Sequence, residues 1–140
     1  MSTTLSPPVR TALDLPDPPA TDRLGAALAA ILLPGDTLLL SGQLGAGKSQ
    51  LARAVIGAAL AAAGRPPEDV PSPTYTLIQT YDLGTHEILH ADLYRLSGAE
   101  EAFELGLTDA LGRDLCLVEW PDRLGGLAPR DALALHLEEA

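Results

Sequence analysis

The sequence predicts an α/β domain: a three-layer α/β/α sandwich around a mixed, mainly parallel sheet. Three observations predict it. Short apolar runs, above all Thr37-Leu38-Leu39-Leu40-Ser41 and Leu115-Cys116-Leu117-Val118, read as strands buried on both faces. Segments with apolar residues at helical spacing separate these runs. The first buried run also leads through a glycine-rich loop directly into one of those helices.

Residues 1–19 carry Pro7, Pro8, Pro16, Pro18 and Pro19 and are expected as an extended lead-in, not a helix, leaving 20–140 as one domain. Thr21 is expected to cap a helix through Leu24, Ala27, Leu28, Ile31 and Leu32 that stops before Pro34-Gly35. Gly35-Asp36 then turns into the strand Thr37 to Ser41. A second helix starts near Lys48, places Leu51, Ala52, Val55, Ile56, Ala59 and Leu60 at helical spacing, and ends near Gly64. Residues 65–71 form a loop. Thr74 to Leu83 alternates enough for a strand, Gly84-Thr85 is a hairpin turn, and His86 to Tyr94 is the returning strand. Ser97 is expected to cap a helix through Glu100, Phe103 and Leu105 that Gly106 ends. A short helix over 108–113, the strand Leu115 to Glu119, a loop from Pro121 to Pro129 and a last strand from Ala132 to Leu137 complete the chain. There is no internal repeat and no second domain.

At 140 residues the chain is long enough for a real core, and with 46% hydrophobic but 4% aromatic residues that core is mostly Leu, Ala and Val. The net charge is −10 and the sequence pI is near 4.5. Direct, stable nucleic-acid binding needs clustered cations and is not expected; the acidity either suits a basic protein partner or only keeps the surface soluble. Cys116 is the only cysteine, so neither an intrachain disulfide nor a zinc cluster can form, and it reads as a small buried hydrophobe. With no apolar run of transmembrane length and no signal-peptide pattern, a cytoplasmic protein without membrane contact is expected.

The only lysine, Lys48, lies in Gly42-Gln43-Leu44-Gly45-Ala46-Gly47-Lys48-Ser49. This fits G-x-x-x-x-G-K-[ST], the phosphate-binding loop, so the domain is P-loop NTPase-like. Gly45 and Gly47 let the backbone turn successive N–H groups toward an anion. The helix that follows adds a partial positive charge, Lys48 reaches the β- and γ-phosphates, and Ser49 offers a hydroxyl to Mg²⁺. Gly45, Ala46, Gly47, Lys48, Ser49 and Gln50 are the expected phosphate-binding residues.

Such a loop needs a carboxylate at the end of another strand. Asp92 and Glu119 both qualify; one can hold Mg²⁺, directly or through water, and the other orient an attacking water, and spacing alone does not divide the roles. Ser72-Pro73-Thr74 occupies the place of a γ-phosphate-sensing loop, or is an ordinary turn. His90 shares a strand face with Asp92 and is a candidate lining residue. Tyr94, Arg95 and Trp120 are candidates for shaping the site or meeting a partner.

Taken together, Leu44–Ser49, Ser72-Pro73-Thr74-Tyr75, His90-Ala91-Asp92-Leu93-Tyr94-Arg95 and Leu117-Val118-Glu119-Trp120-Pro121, in that order, resemble the bacterial TsaE (YjeE) family. The resemblance spans roughly residues 20 to 137. It implies an ATPase that binds ATP and Mg²⁺, is slow alone, and acts with TsaD and TsaB. That transferase modifies the adenosine next to the anticodon with threonylcarbamoyl, and ATP hydrolysis resets the complex between cycles. By the resemblance, Ser49 and Glu119 hold Mg²⁺, and Asp92 organises metal-bound water or the nucleophile. Thr74 is the switch residue, Trp120 shapes the site or partner surface, and Pro19 to Thr21 lie near the adenine. One element of the family pattern has no match. Beyond the segment aligned with Ala132 to Leu137, family members have a Gly-Arg turn and a further strand whose arginine contacts nucleotide. Arg130 is not an aligned substitute, so weaker ATP affinity, or a cation from elsewhere, is expected, along with a less covered sheet edge.

Two other classes compete with this reading. A small-molecule P-loop kinase needs an arginine-bearing lid, and Arg95, Arg113 and Arg123 lie in no obvious one. A non-catalytic nucleotide-binding adaptor differs only in water activation. A GTP-dependent switch is excluded in its common form, because an Asn-Lys-x-Asp motif is impossible in a chain with no asparagine.

Overall fold

The computed structural model describes residues 12–43, 46–66, 70 and 77–138. Five strands form one sheet: β1 (Thr37–Gly42), β2 (Ile78–Asp82), β3 (Glu87–Asp92), β4 (Leu115–Glu119) and β5 (Leu133–Leu137). Their order is β2-β3-β4-β1-β5, with β3, β4, β1 and β5 parallel and β2 antiparallel to β3. The expected mixed, mainly parallel sheet is therefore present.

Two apolar clusters flank it. On one face, Leu38, Leu40, Ile88, Leu115 and Leu117 pack against Leu28 of α1 (Pro18–Ile31) and against Leu51, Val55, Ile56 and Leu60 of α2 (Lys48–Ala62). On the other, Leu89, Ala91, Cys116 and Val118 meet Ala102 of α3 (Ala99–Glu104), Leu107 and Ala110 of α4 (Leu107–Ala110), and Leu124 of a 3₁₀ segment, Pro121–Leu127. Covering both faces is what lets the runs Leu38–Leu40 of β1 and Leu115–Val118 of β4 be apolar. Each fully buried Leu, such as Leu38, Leu40 or Leu117, stabilises the fold by about 1.5–3 kcal/mol. Cys116 is buried as expected, and burial pushes its thiol up to about 12. Among the described residues no helix is long and apolar enough to cross a membrane.

Where α1 crosses α2, Gly25 is required: a Cβ there would lie 2.4 Å from the Ala54 Cβ. At the sheet edge, β5 runs along β1 so closely that a Cβ on Gly42 would meet the Leu137 carbonyl oxygen at 2.3 Å. Gly42 has φ 134, a conformation that favours glycine. Ser41 and His136, opposite each other in register, join at 2.9 Å between Oγ and Nδ1. Together these contacts fix β5 against the strand that feeds the glycine-rich loop.

Several elements depart from expectation. The first helix begins earlier than Thr21. Pro18 and Pro19 form its first turn, where a missing N–H costs nothing, and Asp17 caps it by accepting from the Ala20 N–H at 2.9 Å. Ser97 is not the cap of α3; extended Gly98 holds that place, and the Ser97 N–H donates to Glu101 Oε1 at 3.0 Å. The short helix is Leu107–Ala110, preceded by left-handed Gly106. Pro121 to Leu127, expected as mostly loop, forms 3₁₀ turns interrupted by non-helical Gly125 (φ 53, ψ −126). The β2–β3 hairpin turns at Gly84-Thr85 as expected, with Asp82 Oδ1 accepting from the Gly84 N–H at 2.7 Å.

Candidate functional site

The C-terminal ends of β1, β3 and β4 lie side by side, and the candidate residues sit there. In register, Leu40 lies beside Glu119 and Glu119 beside Asp92, so the two carboxylates occupy neighbouring strands. Side-chain alternation puts His90, Asp92 and Glu119 on the face covered by α2, the same face as Ile88 and Leu117. The N-terminus of α2 meets them from above. Gly47 precedes that helix in the left-handed region (φ 98), and no side chain caps the helix.

Lys48 is buried at the first position of α2. Its ammonium donates to the Gly42 and Gln43 carbonyls at 2.7 and 2.8 Å. It also lies 4.5 Å from the centre of the Trp120 ring, a cation–π distance. Trp120 holds that position with φ 57 and ψ 54, a left-handed conformation uncommon for a bulky residue. Tyr94 also meets the Trp120 ring, tilted by 50° with ring centres 4.9 Å apart.

Behind Lys48 runs a buried polar chain. Ser49 Oγ donates to Glu119 Oε1 at 2.9 Å, and Glu119 Oε2 contacts His90 Nε2 at 2.7 Å. His90 is fully buried and Glu119 nearly so, at 0% and 2% exposure. Asp92 is linked differently: its Oδ1 accepts from the Tyr94 N–H at 3.0 Å. The structure thus brings Lys48, Ser49, His90, Glu119 and Trp120 together, with Asp92 and Tyr94 alongside. A serine hydroxyl and a carboxylate in contact, with a second carboxylate one strand away, are hard oxygen donors of the kind Mg²⁺ takes when it keeps water and phosphate in its shell.

A family model described as threonylcarbamoyl adenosine biosynthesis protein TsaE matches residues 15–140. The chain belongs to the TsaE family. A TsaE protein of Rickettsia felis is 38% identical over 118 residues, covering 84% of this chain and 67% of that protein. One from Haemophilus influenzae is 35% identical over 130 residues, covering 89% and 79%. The crystal structure of Bacillus subtilis YdiB superposes with a TM-score of 0.63 at 29% identity, covering 89% of this chain and 73% of that one.

In this TsaE-family chain the remaining candidates fall elsewhere. Pro19 and Thr21 lie at the start of α1, Pro19 exposed and Thr21 buried, and neither joins the Lys48–Glu119 chain. Ala46, Gly47 and Gln50 are half-buried around the α2 N-terminus, and Arg95 is exposed beyond Tyr94. Gly45, Thr74 and the rest of the Ser72-Pro73-Thr74-Tyr75 motif lie outside the described residues. Sequence reasoning missed the His90–Glu119 contact and the placing of Trp120 over Lys48. The available signal for the first was parity, since His90 and Asp92 share a face of one strand.

Burial, above all, raises the Asp92 carboxyl above its ordinary value. The neighbouring Glu119 charge adds to this, while the Tyr94 N–H, His90 and Lys48 oppose it. A raised acid binds its proton more tightly in the folded chain, so its contribution to stability is present below the ordinary carboxylate pKa and is lost as pH rises through the folded value. Asp92→Asn keeps the acceptor for Tyr94 and removes the charge. It is expected to raise Tm at pH 7, with the gain disappearing as the pH falls toward 4; thermal unfolding across that range checks it. A variant less stable than wild type at pH 7 contradicts this account.

Proposed function

We propose that this chain is an Mg²⁺-dependent ATPase that supports threonylcarbamoyladenosine modification of tRNA by resetting the TsaD–TsaB transferase complex. The observation that carries the reading is the chain's one lysine, placed at the α2 N-terminus where its ammonium meets loop carbonyls, beside a serine hydroxyl already paired with a buried carboxylate. Lys48 neutralises the β- and γ-phosphates, and backbone N–H groups from Gly45 to Gln50 cradle them. Ser49 and Glu119 would hold Mg²⁺, which when bound supplies charge neutralisation between the phosphates. Asp92 orients the attacking water, and Thr74 senses the γ-phosphate. Trp120 and Tyr94 shape the mouth of the site. The acidic surface, with net charge −10, favours a basic protein partner over tRNA itself.

The test is phosphate release from Mg-ATP with and without purified TsaD–TsaB. Slow release that the complex stimulates is the expected result. Nucleotide binding without stimulation would place this chain outside that cycle, and transfer of phosphate to a small acceptor would make it a kinase.

A further inference from the structure

Packing does not explain a histidine at position 90. Its register partners are Leu117 on β4 and Gln79 on β2, and the buried cluster on that face is made of Leu, Ile, Val, Ala and Tyr81. A leucine there would bury without penalty, whereas an imidazole must satisfy two ring nitrogens. Only one is satisfied: Nδ1 is buried with no hydrogen-bond partner among the described residues. The ring's polar chemistry is spent on the 2.7 Å contact between Nε2 and Glu119 Oε2.

That contact has a geometric consequence. Glu119 already receives the Ser49 hydroxyl on Oε1. With His90 on the other oxygen, the carboxylate is pinned at both ends, between the sheet and α2. A carboxylate is an acceptor only, so Nε2 carries the proton in this bond. We infer that His90 is a positioning residue that holds Glu119 against Ser49 and thereby sets the strength of Mg²⁺-dependent nucleotide binding. The inference rests on the Mg-ATP reading above. Partners that hydrogen-bond a metal-binding group from behind change metal affinity by about 10–100-fold.

Three substitutions test it. The amide nitrogen of His90→Gln can reach the place of Nε2; that of His90→Asn stops at the place of Nδ1; His90→Leu offers no donor. Nucleotide affinity is measured with Mg²⁺ and with EDTA, from the fluorescence of Trp120 and by calorimetry. His90→Asn and His90→Leu are expected to lose the Mg²⁺-dependent gain by about 10-fold or more, and His90→Gln to stay within about 3-fold of wild type. Affinity in EDTA stays unchanged in all three, which also reports that they fold. If His90→Leu fails to fold, the contrast between Gln and Asn decides. Full Mg²⁺ dependence in His90→Asn, or equal loss in Gln and Asn, overturns the inference and leaves the Mg-ATP reading intact. Absence of nucleotide binding by the wild type in both buffers overturns that reading and the inference with it.

Discussion

Lys48→Ala is expected to raise the Kd for ATP by about 100-fold or more, the effect of losing charge-assisted hydrogen bonds of about 1.5–3 kcal/mol together with the attraction of a buried cation for phosphate. No other residue can substitute: the chain has no second lysine, and its arginines carry a wider, planar group. The fold should tolerate the change. Alanine is the best helix former, and the cost is two loop carbonyls, Gly42 and Gln43, that lose a donor and can turn to water. Trp120 provides the readout. It is the only tryptophan and lies 4.5 Å from the ammonium, so moving that charge changes its emission directly. Titration with ATP should shift wild-type fluorescence and leave Lys48→Ala unresponsive. Normal affinity in the variant would remove Lys48 from the binding site and end the phosphate-loop reading.

Lys48 was legible because everything that places it is local. A buried strand, a glycine-rich turn and a helix start follow one another within a few residues, and their periodicities are unmistakable. The same locality made β1, β4 and the β2–β3 hairpin visible. Errors fell where two local signals compete. Pro18 and Pro19 read as a break, yet proline is favoured in a first helical turn, and Asp17 ahead of them supplies the cap. At Ser97 the wrong one of two adjacent residues was expected as the cap, because the Glu101 carboxylate turns back to the Ser97 N–H. The segment after Trp120 is rich in turn formers, and a 3₁₀ helix differs from such a loop only in hydrogen bonds.

The site itself was legible as residues and not as contacts. Spacing alone leaves Asp92 and Glu119 both as candidates, and only the family resemblance pairs Glu119 with Ser49, because the choice depends on the register of β3 against β4 and on the depth at which α2 enters, neither of which leaves a local mark. Asp92 and Glu119 are register partners; Glu119 accepts from Ser49 on the helix, and Asp92 spends Oδ1 on the backbone turn at Tyr94. Trp120 is a stronger case. Nothing in Glu119-Trp120-Pro121 announces a left-handed tryptophan; the ring's contacts with Lys48 and with Tyr94 support the conformation.

Glu119→Gln should separate the two carboxylates. Glutamine has the same shape, and its amide can still accept from one neighbour and meet the other, since the Ser49 hydroxyl both donates and accepts and the His90 ring can change tautomer. Packing at this nearly inaccessible position therefore survives. Glu119→Ala is the poorer experiment, because it leaves the buried His90 Nε2 without its partner, at a cost of about 1–3 kcal/mol, and opens a cavity, so lost activity could reflect lost structure. In Glu119→Gln only the charge is gone. Mg²⁺-dependent phosphate release is expected to fall by about 10²–10³, the usual cost of removing one preorganised electrostatic contact from a reaction centre. Nucleotide affinity in EDTA should remain near wild type, because Lys48 and the α2 N-terminus are untouched. The Asp92 carboxyl should also move back toward its ordinary value, since the Glu119 charge is one of the influences that raise it. Phosphate release and the Mg²⁺ dependence of binding, measured side by side with Asp92→Asn, decide the assignment. If Glu119→Gln keeps both and Asp92→Asn loses the Mg²⁺ dependence, the metal belongs to Asp92, and the Ser49–Glu119–His90 chain is scaffolding for the helix above it.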